Sequence, residues 1–182
     1  MTRTLALALV LSLGAPLLAQ EKPPQEPAAE ETVTPPFTAR QIREFTKAGR
    51  KYVFRIEAKD EAPRFSVIEF VSVDADAATM RHQVLGADKK PLEGEPQPPE
   101  EQVSWEDLEG HARFPKAHTT ITEGEVSIPA GKFKAVIFTV REGESTTTYV
   151  FAKDLPGAPV KVESREGDAV VFSMVLVEHT NE

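Results

Sequence analysis

The histidines and carboxylates are the side chains of this 182-residue chain that could do chemistry, as metal ligands or as acid–base pairs. The histidines are His82, His111, His118 and His179, and no two of them have the HxH or HExxH spacing of a metal site. Asp107 and His111 stand four residues apart, but a metal site needs a third ligand of suitable spacing. The spacing favours a solvated charge pair, and we predict no metal site.

An acidic cluster lies in the middle of the chain and consists of Glu100, Glu101, Glu106, Asp107 and Glu109. Paired carboxylates can hydrolyse glycosidic bonds when a cleft holds them at a defined separation. Here they follow a Pro/Glu loop and flank the predicted start of a helix, where negative charge complements the helix dipole. We therefore interpret the cluster as structural and not as catalytic.

Nucleophilic catalysis finds no support in the sequence. Ser145 and Thr146–Thr148 occupy a predicted hairpin and lack a Gly-x-Ser-x-Gly elbow. The glycines stand singly at turns, so no phosphate-binding loop is present. The chain contains no cysteine, which excludes disulfides, thiolate metal sites and a cysteine nucleophile. We predict a protein that is not an enzyme and has no cofactor.

The charge balance narrows the classes of partner. The chain carries 29 acidic and 21 basic residues, for a net charge of -8. This balance argues against nucleic acid, and it gives no indication of peripheral membrane contact. A hydrophobic fraction of 40% and a charged fraction of 27% are typical of a globular domain. We expect a monomer whose partner is an apolar ligand or an envelope protein.

The N-terminal residues are typical of an exported protein. Arg3 precedes an apolar stretch, Leu5–Leu18, that is short for a membrane span, and Ala19 is a plausible cleavage point. We predict a signal peptide over residues 1–19 and a periplasmic or extracellular location. Residues 20–36 are rich in Pro and Glu, which predicts a disordered tether. A single domain is expected over residues 37–182.

Two short helices are predicted from their capping signals. Thr38 and Gln41 form a capping box at the start of a helix over residues 39–48. Ser104 is the N-cap expected for a second helix, Trp105–Glu109. Both helices are too short to be stable alone, so each must dock on an apolar surface.

Strands account for most of the remaining domain, because apolar and polar residues alternate or run together between Gly/Pro turns. The expected strands are Lys51–Ala58, Phe65–Val73, Thr79–Leu85, Thr119–Ile128, Phe133–Arg141, Thr146–Lys153, Val160–Ser164 and Ala169–Glu178. The last strand is apolar on both faces, which predicts a central position. Short local connections indicate an α+β fold: a curved antiparallel sheet of about eight strands, forming an incomplete barrel, with both helices against its concave face.

The strands and helices carry more aromatic residues than a thin sheet needs. This surplus either fills a core or lines a pocket for a hydrophobic ligand, and the residues alone favour a core. If a pocket is present, its candidate lining residues are Phe45, Tyr52, Phe54, Trp105, Phe138 and Phe172.

The second half of the chain resembles a known family. The turn Pro129–Phe133 (PAGKF), followed by an alternating strand, a hairpin and the segment Asp154–Glu163 (DLPGAPVKVE), is similar to exported bacterial domains of the lipoprotein-localisation-carrier type and their uncharacterised relatives. The resemblance implies an incomplete barrel with helices as a lid, and a protein that carries lipid-modified proteins or binds apolar ligands. None of the family's ligand-contacting residues matches a position here.

Two functions follow as hypotheses. The first is an exported, non-enzymatic binding or carrier-like domain for an apolar ligand or a lipidated partner. The second is an exported structural or protein-interaction module whose core is filled. The space beneath the two predicted helices distinguishes them, because the first function needs that space open and the second needs it filled.

Overall fold

The computed structural model describes residues 31–92, 94 and 98–180. The predicted signal peptide and the first eleven residues of the predicted tether, 20–30, lie outside these ranges. Over the part that is described, no helix combines the length and the apolar character needed to cross a membrane.

The described chain contains two α-helices, one 3-10 turn and nine strands. The helices are α1 (Ala39–Phe45) and α2 (Trp105–Gly110), and the 3-10 turn is Lys116–His118. The strands are β1 (Lys51–Ala58), β2 (Arg64–Val73), β3 (Ala77–Leu85), β4 (Glu101–Ser104), β5 (Thr119–Ile128), β6 (Gly131–Glu142), β7 (Ser145–Ala152), β8 (Lys161–Glu166) and β9 (Ala169–Thr180).

All nine strands form one antiparallel sheet in the order β4-β3-β2-β1-β9-β8-β7-β6-β5. The sheet consists of two meanders, β1–β4 and β5–β9, joined where the first strand pairs with the last. It stays open, with β4 at one edge and β5 at the other. The predicted α+β class with an unclosed antiparallel sheet and two short helices is therefore confirmed.

The connection between the two meanders places the helices on the sheet. β4 and β5 occupy opposite edges, so residues 105–118 must pass from one edge to the other. This crossing segment contains α2, which packs beside α1. Both helices cover the same face of the sheet, and most of the core lies between them and the strands.

Local capping explains where the helices start. The Thr38 side chain accepts a hydrogen bond from the Gln41 backbone N–H, and the Thr38 backbone N–H donates to Gln41 Oε1, which completes the predicted capping box. The Ser104 side chain likewise accepts from the Asp107 N–H. α1 ends at Phe45, three residues earlier than expected, because Thr46 is already extended and its N–H bonds back to the helix.

One strand was not expected from the sequence. β4 is only four residues long and follows a Pro/Glu loop, so it has no alternation to detect. It forms because its main chain pairs with β3, with Ala78 opposite Val103. The sheet therefore has nine strands and not about eight.

The predicted central position of the last strand agrees with the strand order, since β9 is fifth of nine. Its side chains are not equally buried along its length. Leu176 is fully buried, whereas Phe172 is half-buried and Val170 is 46% exposed. Two apolar faces therefore indicated the position of the strand but not the burial of each side chain.

Residues 31–36 belong to the folded domain, although the sequence placed them in the tether. Val33 is buried in the core, and its backbone N–H donates to the Phe114 carbonyl at 2.9 Å. The Lys116 N–H donates to the Glu31 carbonyl at 2.8 Å. The Pro/Glu composition concealed one apolar anchor and a short run of main-chain pairing.

Candidate functional site: an apolar cavity under two helices

A cavity of about 340 Å³ lies between the sheet and the two helices. Its floor is formed by side chains that stand side by side across neighbouring strands. Tyr52, Ile68 and His82 form one lateral row over β1, β2 and β3. A second row, Met174, Val162 and Tyr149, runs over β9, β8 and β7. Phe70 and Met80, which pair across β2 and β3, complete one end, and Phe151 adds to the other.

The roof of the cavity is formed by short segments that take no part in the hydrogen bonds between strands. α1 contributes Ile42, and α2 contributes Leu108 and Glu109, with Ala112 just beyond its end. The turn at residues 156–159 forms part of the rim. Because elements this short are unstable without tertiary contacts, the roof is the part of the domain most able to open.

A single carboxylate fastens the two helices together. Glu109 Oε2 accepts a hydrogen bond of 2.7 Å from the backbone N–H of Ala39, the first residue of α1, and Oε1 pairs with Arg113 at 3.2 Å. That N–H is one of the donors that a helix start leaves without an intrahelical partner. The Ala39 N–H, and then Arg113, hold the pKa of the Glu109 carboxyl below its usual range. The ionised carboxylate is thus the form that joins the roof.

We expect Glu109→Gln to reduce stability at neutral pH by about 0.5–1 kcal/mol, because the amide keeps an acceptor but loses the charge at the helix start. A carboxyl with a lowered folded-state pKa adds stability above its unfolded pKa and loses it as the pH falls through the folded value. The difference between wild type and variant should therefore vanish under acid. Urea unfolding at several pH values below 7 measures it.

The control is Glu178→Gln, which removes an exposed carboxylate from β9. This variant should remain close to wild type throughout the pH series. A Glu109→Gln deficit of the same size at pH 7 and at pH 3 would contradict an electrostatic tie between the helices.

The C-terminal end of α1 is held by a buried arginine. The Arg50 guanidinium carbon lies 3.8 Å from the centre of the Phe45 ring and 5.1 Å from that of Tyr52. Nη1 donates a 2.7 Å hydrogen bond to the Phe45 carbonyl, one of the acceptors that a helix end leaves open. Burial lowers the pKa of Arg50 and raises that of Tyr52. Arg50 therefore links α1 to a floor residue of the cavity.

Of the six side chains proposed to line a pocket, Tyr52 lies on the cavity. Phe54 and Phe138 are buried within the core, and Trp105 is buried with its indole N–H donating to the Asp74 carbonyl at 3.1 Å. Phe45 packs on Arg50, and Phe172 is half-buried on β9. The structure therefore does not bring the six together; the other five pack elsewhere.

The residues considered for chemistry are also separated. Asp107 Oδ2 accepts from the Ser104 hydroxyl at 2.6 Å, and Glu100 pairs with Arg81 on the sheet edge at 2.6 Å. His111, at the end of α2, borders the cavity. Within residues 31–92, 94 and 98–180, no three His, Asp or Glu side chains come together as a metal site.

Two residues at the cavity were not found by the sequence-based prediction, and the sequence held a signal for one of them. Along β3, Met80 and His82 alternate with the polar residues Thr79, Arg81 and Gln83. His82 therefore lies on the same inward face as Met80. Glu109 was grouped with the acidic cluster because its partner, the start of α1, is 70 residues away. The first could have been found from strand alternation; the second depends on helix packing that no local pattern encodes.

Comparison of this chain with protein-family models and with curated proteins gives no match.

Proposed function

We propose that this protein is an exported, non-enzymatic binding or carrier-like domain that holds an apolar ligand, or the lipid chain of a partner, in the cavity beneath α1 and α2. The observation that carries the proposal is the cavity itself. Its volume of about 340 Å³ is at the lower end of small-molecule sites, about 300–1,000 Å³. Its lining is largely aliphatic and aromatic with few polar groups, which is the usual lining of a small-molecule site.

The size of the space supports a ligand over a packing defect. Protein interiors rarely hold voids larger than a water molecule, whose share of liquid volume is about 30 Å³. An unfilled apolar space also forfeits dispersion contacts along its whole lining. A partly open apolar cavity of about 340 Å³ beneath two short helices has the form of a binding site and differs from the filled core of an interaction module.

The architecture of the roof supports reversible entry. α1 has seven residues and α2 has six, and the sheet beneath them keeps its own hydrogen bonds whether or not they are docked. Opening therefore has to break the Glu109 and Arg50 ties and to expose Ile42 and Trp105, but it leaves the pairing of the strands intact. The resemblance to lipoprotein-localisation carriers implies the same arrangement of helices as a lid over an incomplete barrel. Export rests on residues 1–19.

The groups at the cavity also favour binding over catalysis. Glu109 is already engaged by a backbone N–H and by Arg113, so its charge is committed to holding the helices. Tyr52 and Tyr149 line the floor, and burial raises the pKa of each, so both phenols stay neutral at physiological pH.

The proposal is tested by filling the cavity. Ala112→Phe places a ring in the space, and we expect uptake of an environment-sensitive apolar dye to fall at least about tenfold while the melting temperature is kept. The reason is that the side chain then occupies the volume the ligand needs. Ala169→Phe adds the same ring at an exposed position of β9 and should bind like wild type.

Mass spectrometry of an organic extract of the purified mature protein identifies any lipid that it carries. An extract without lipid, together with dye uptake unchanged by Ala112→Phe, would reject the binding function and favour the interaction module.

A further inference from the structure

His82 interrupts an apolar row. On β3, the residues that face the helices are Ala78, Met80 and His82, and the first two are buried. Across the sheet, His82 stands beside Ile68, which in turn pairs with Tyr52. An aliphatic side chain would continue the surface at this point. The imidazole is therefore a polar group set into the floor of a largely apolar cavity, whose other polar residues include Glu109 and His111.

The imidazole presents one buried nitrogen without a partner. His82 Nε2 is inaccessible to solvent and makes no hydrogen bond to any residue that the structure describes. At the roof, the buried Thr46 hydroxyl is paired, since it donates to the Ile42 carbonyl at 2.8 Å. Two nitrogens of Arg50 and Nδ1 of His179 are also buried without a partner, but neither residue lines the cavity. Because an unpaired buried polar atom loses its hydration without compensation, such an atom at a ligand cavity points to the ligand's polar group.

The charges at the cavity indicate which polar group fits. No Lys or Arg is among the described residues that line it, and its carboxylate, Glu109, is negative and already paired. An ionised carboxylate or phosphate placed there would be buried without a fixed positive charge, which is strongly unfavourable. A neutral oxygen needs only one hydrogen bond, and a neutral imidazole nitrogen donates or accepts one according to its tautomer.

We propose that the cavity takes a neutral single-chain amphiphile, whose alkyl chain lies along the floor and whose oxygen hydrogen-bonds to His82 Nε2. This proposal rests on the binding function above and adds the class of ligand. The modest volume suits one chain and not several. Two kinds of molecule combine an alkyl chain with a neutral oxygen. One is a free chain with a hydroxyl group, and the other is an acyl chain linked to a partner through an ester or amide carbonyl.

The test compares the affinities of wild type and His82 variants for ligands that have different head groups. Affinity is measured by displacement of an apolar dye at pH 8. The ligands are 1-decanol, methyl decanoate, decane and decanoate, the last being ionised at this pH. His82→Leu should weaken 1-decanol about fivefold or more, because its hydroxyl is then buried without a partner, and should leave decane unchanged or tighter. A larger loss for methyl decanoate than for 1-decanol would identify the carbonyl-linked source; a loss confined to 1-decanol would identify the free alcohol.

Two further variants keep the comparison interpretable. His82→Gln retains a hydrogen-bonding group and should recover part of the 1-decanol affinity. Ile68→Val changes the neighbouring floor residue and should affect all four ligands alike.

If His82→Leu changes the affinities for 1-decanol and decane by the same factor, the assignment of His82 is overturned, although an apolar site remains. Tighter binding of decanoate than of 1-decanol would overturn the preference for a neutral group. Failure of all four ligands to bind the wild type would reject both the binding function and this ligand class.

Discussion

Replacing Phe138 by alanine is expected to lower the free energy of unfolding by about 3–5 kcal/mol, the usual cost of removing a buried phenylalanine. Phe138 is 1% exposed on β6 and packs edge-on against Phe151 and at a tilt against Phe114, with ring centres 5.5 and 5.7 Å away. Phe114 lies in the crossing segment, so this cluster fixes that segment to the sheet. Equilibrium unfolding in urea measures the loss.

Phe172→Ala is the matched control, since it deletes the same ring from a half-buried position on the central strand. We expect a cost of about 1 kcal/mol, because much of that ring is in contact with water in the folded protein. Similar losses for the two variants would contradict the placement of the core between the sheet and the helices.

Arg50→Ala is expected to destabilise the protein by roughly 2–4 kcal/mol. The change removes a hydrogen bond from a charged donor to the end of α1 and two contacts with aromatic rings. It also leaves a void, because Arg50 is 1% exposed. Hydrogen exchange should show the loss concentrated in α1, because Arg50 is bonded to the carbonyl at the end of that helix.

Arg50→Lys keeps the charge but not the planar group that stacks on Phe45, and it should recover only part of the loss. Arg40→Ala, which removes an exposed arginine from the same helix, should be close to neutral. Wild-type stability in Arg50→Ala would show that α1 is held by its apolar face alone.

The sequence was most informative where structure is decided by neighbours along the chain. The capping box at Thr38 and the N-cap at Ser104 lie where predicted, and β1 has the expected bounds. The turn before β6 also follows its local chemistry, with Gly131 at a φ of 144° that other residues rarely adopt. These features need only a few residues to specify them.

Features that depend on distant partners were not accessible in this way. β4 exists through pairing with β3, and Val33 is ordered through its bond to Phe114. Arg50 is buried, unlike most arginines, because the Phe45 carbonyl and two aromatic rings hold it inside.

In the candidate site, too, some features follow from the sequence and others depend on distant partners. The aromatic surplus pointed to a space under the helices, but composition could not say which rings fill the core. Phe54 and Phe138 are buried in the core, while the cavity is bounded by other aromatic residues, such as Tyr52, and by Met80 and Met174. Which side chains meet across the sheet follows from the register, and the register was known only once the strands were paired.

Those two methionines permit the most direct test of the cavity as a ligand site. The chain has three methionines, and both Met80 and Met174 lie on the floor. In protein labelled with ¹³C at the methionine methyls, titration with 1-decanol should shift both resonances saturably and give NOEs to the decyl chain, with Met80→Leu and Met174→Leu providing the assignments. If neither methyl responds at concentrations that displace the apolar dye, the ligand binds elsewhere and the cavity is not its site.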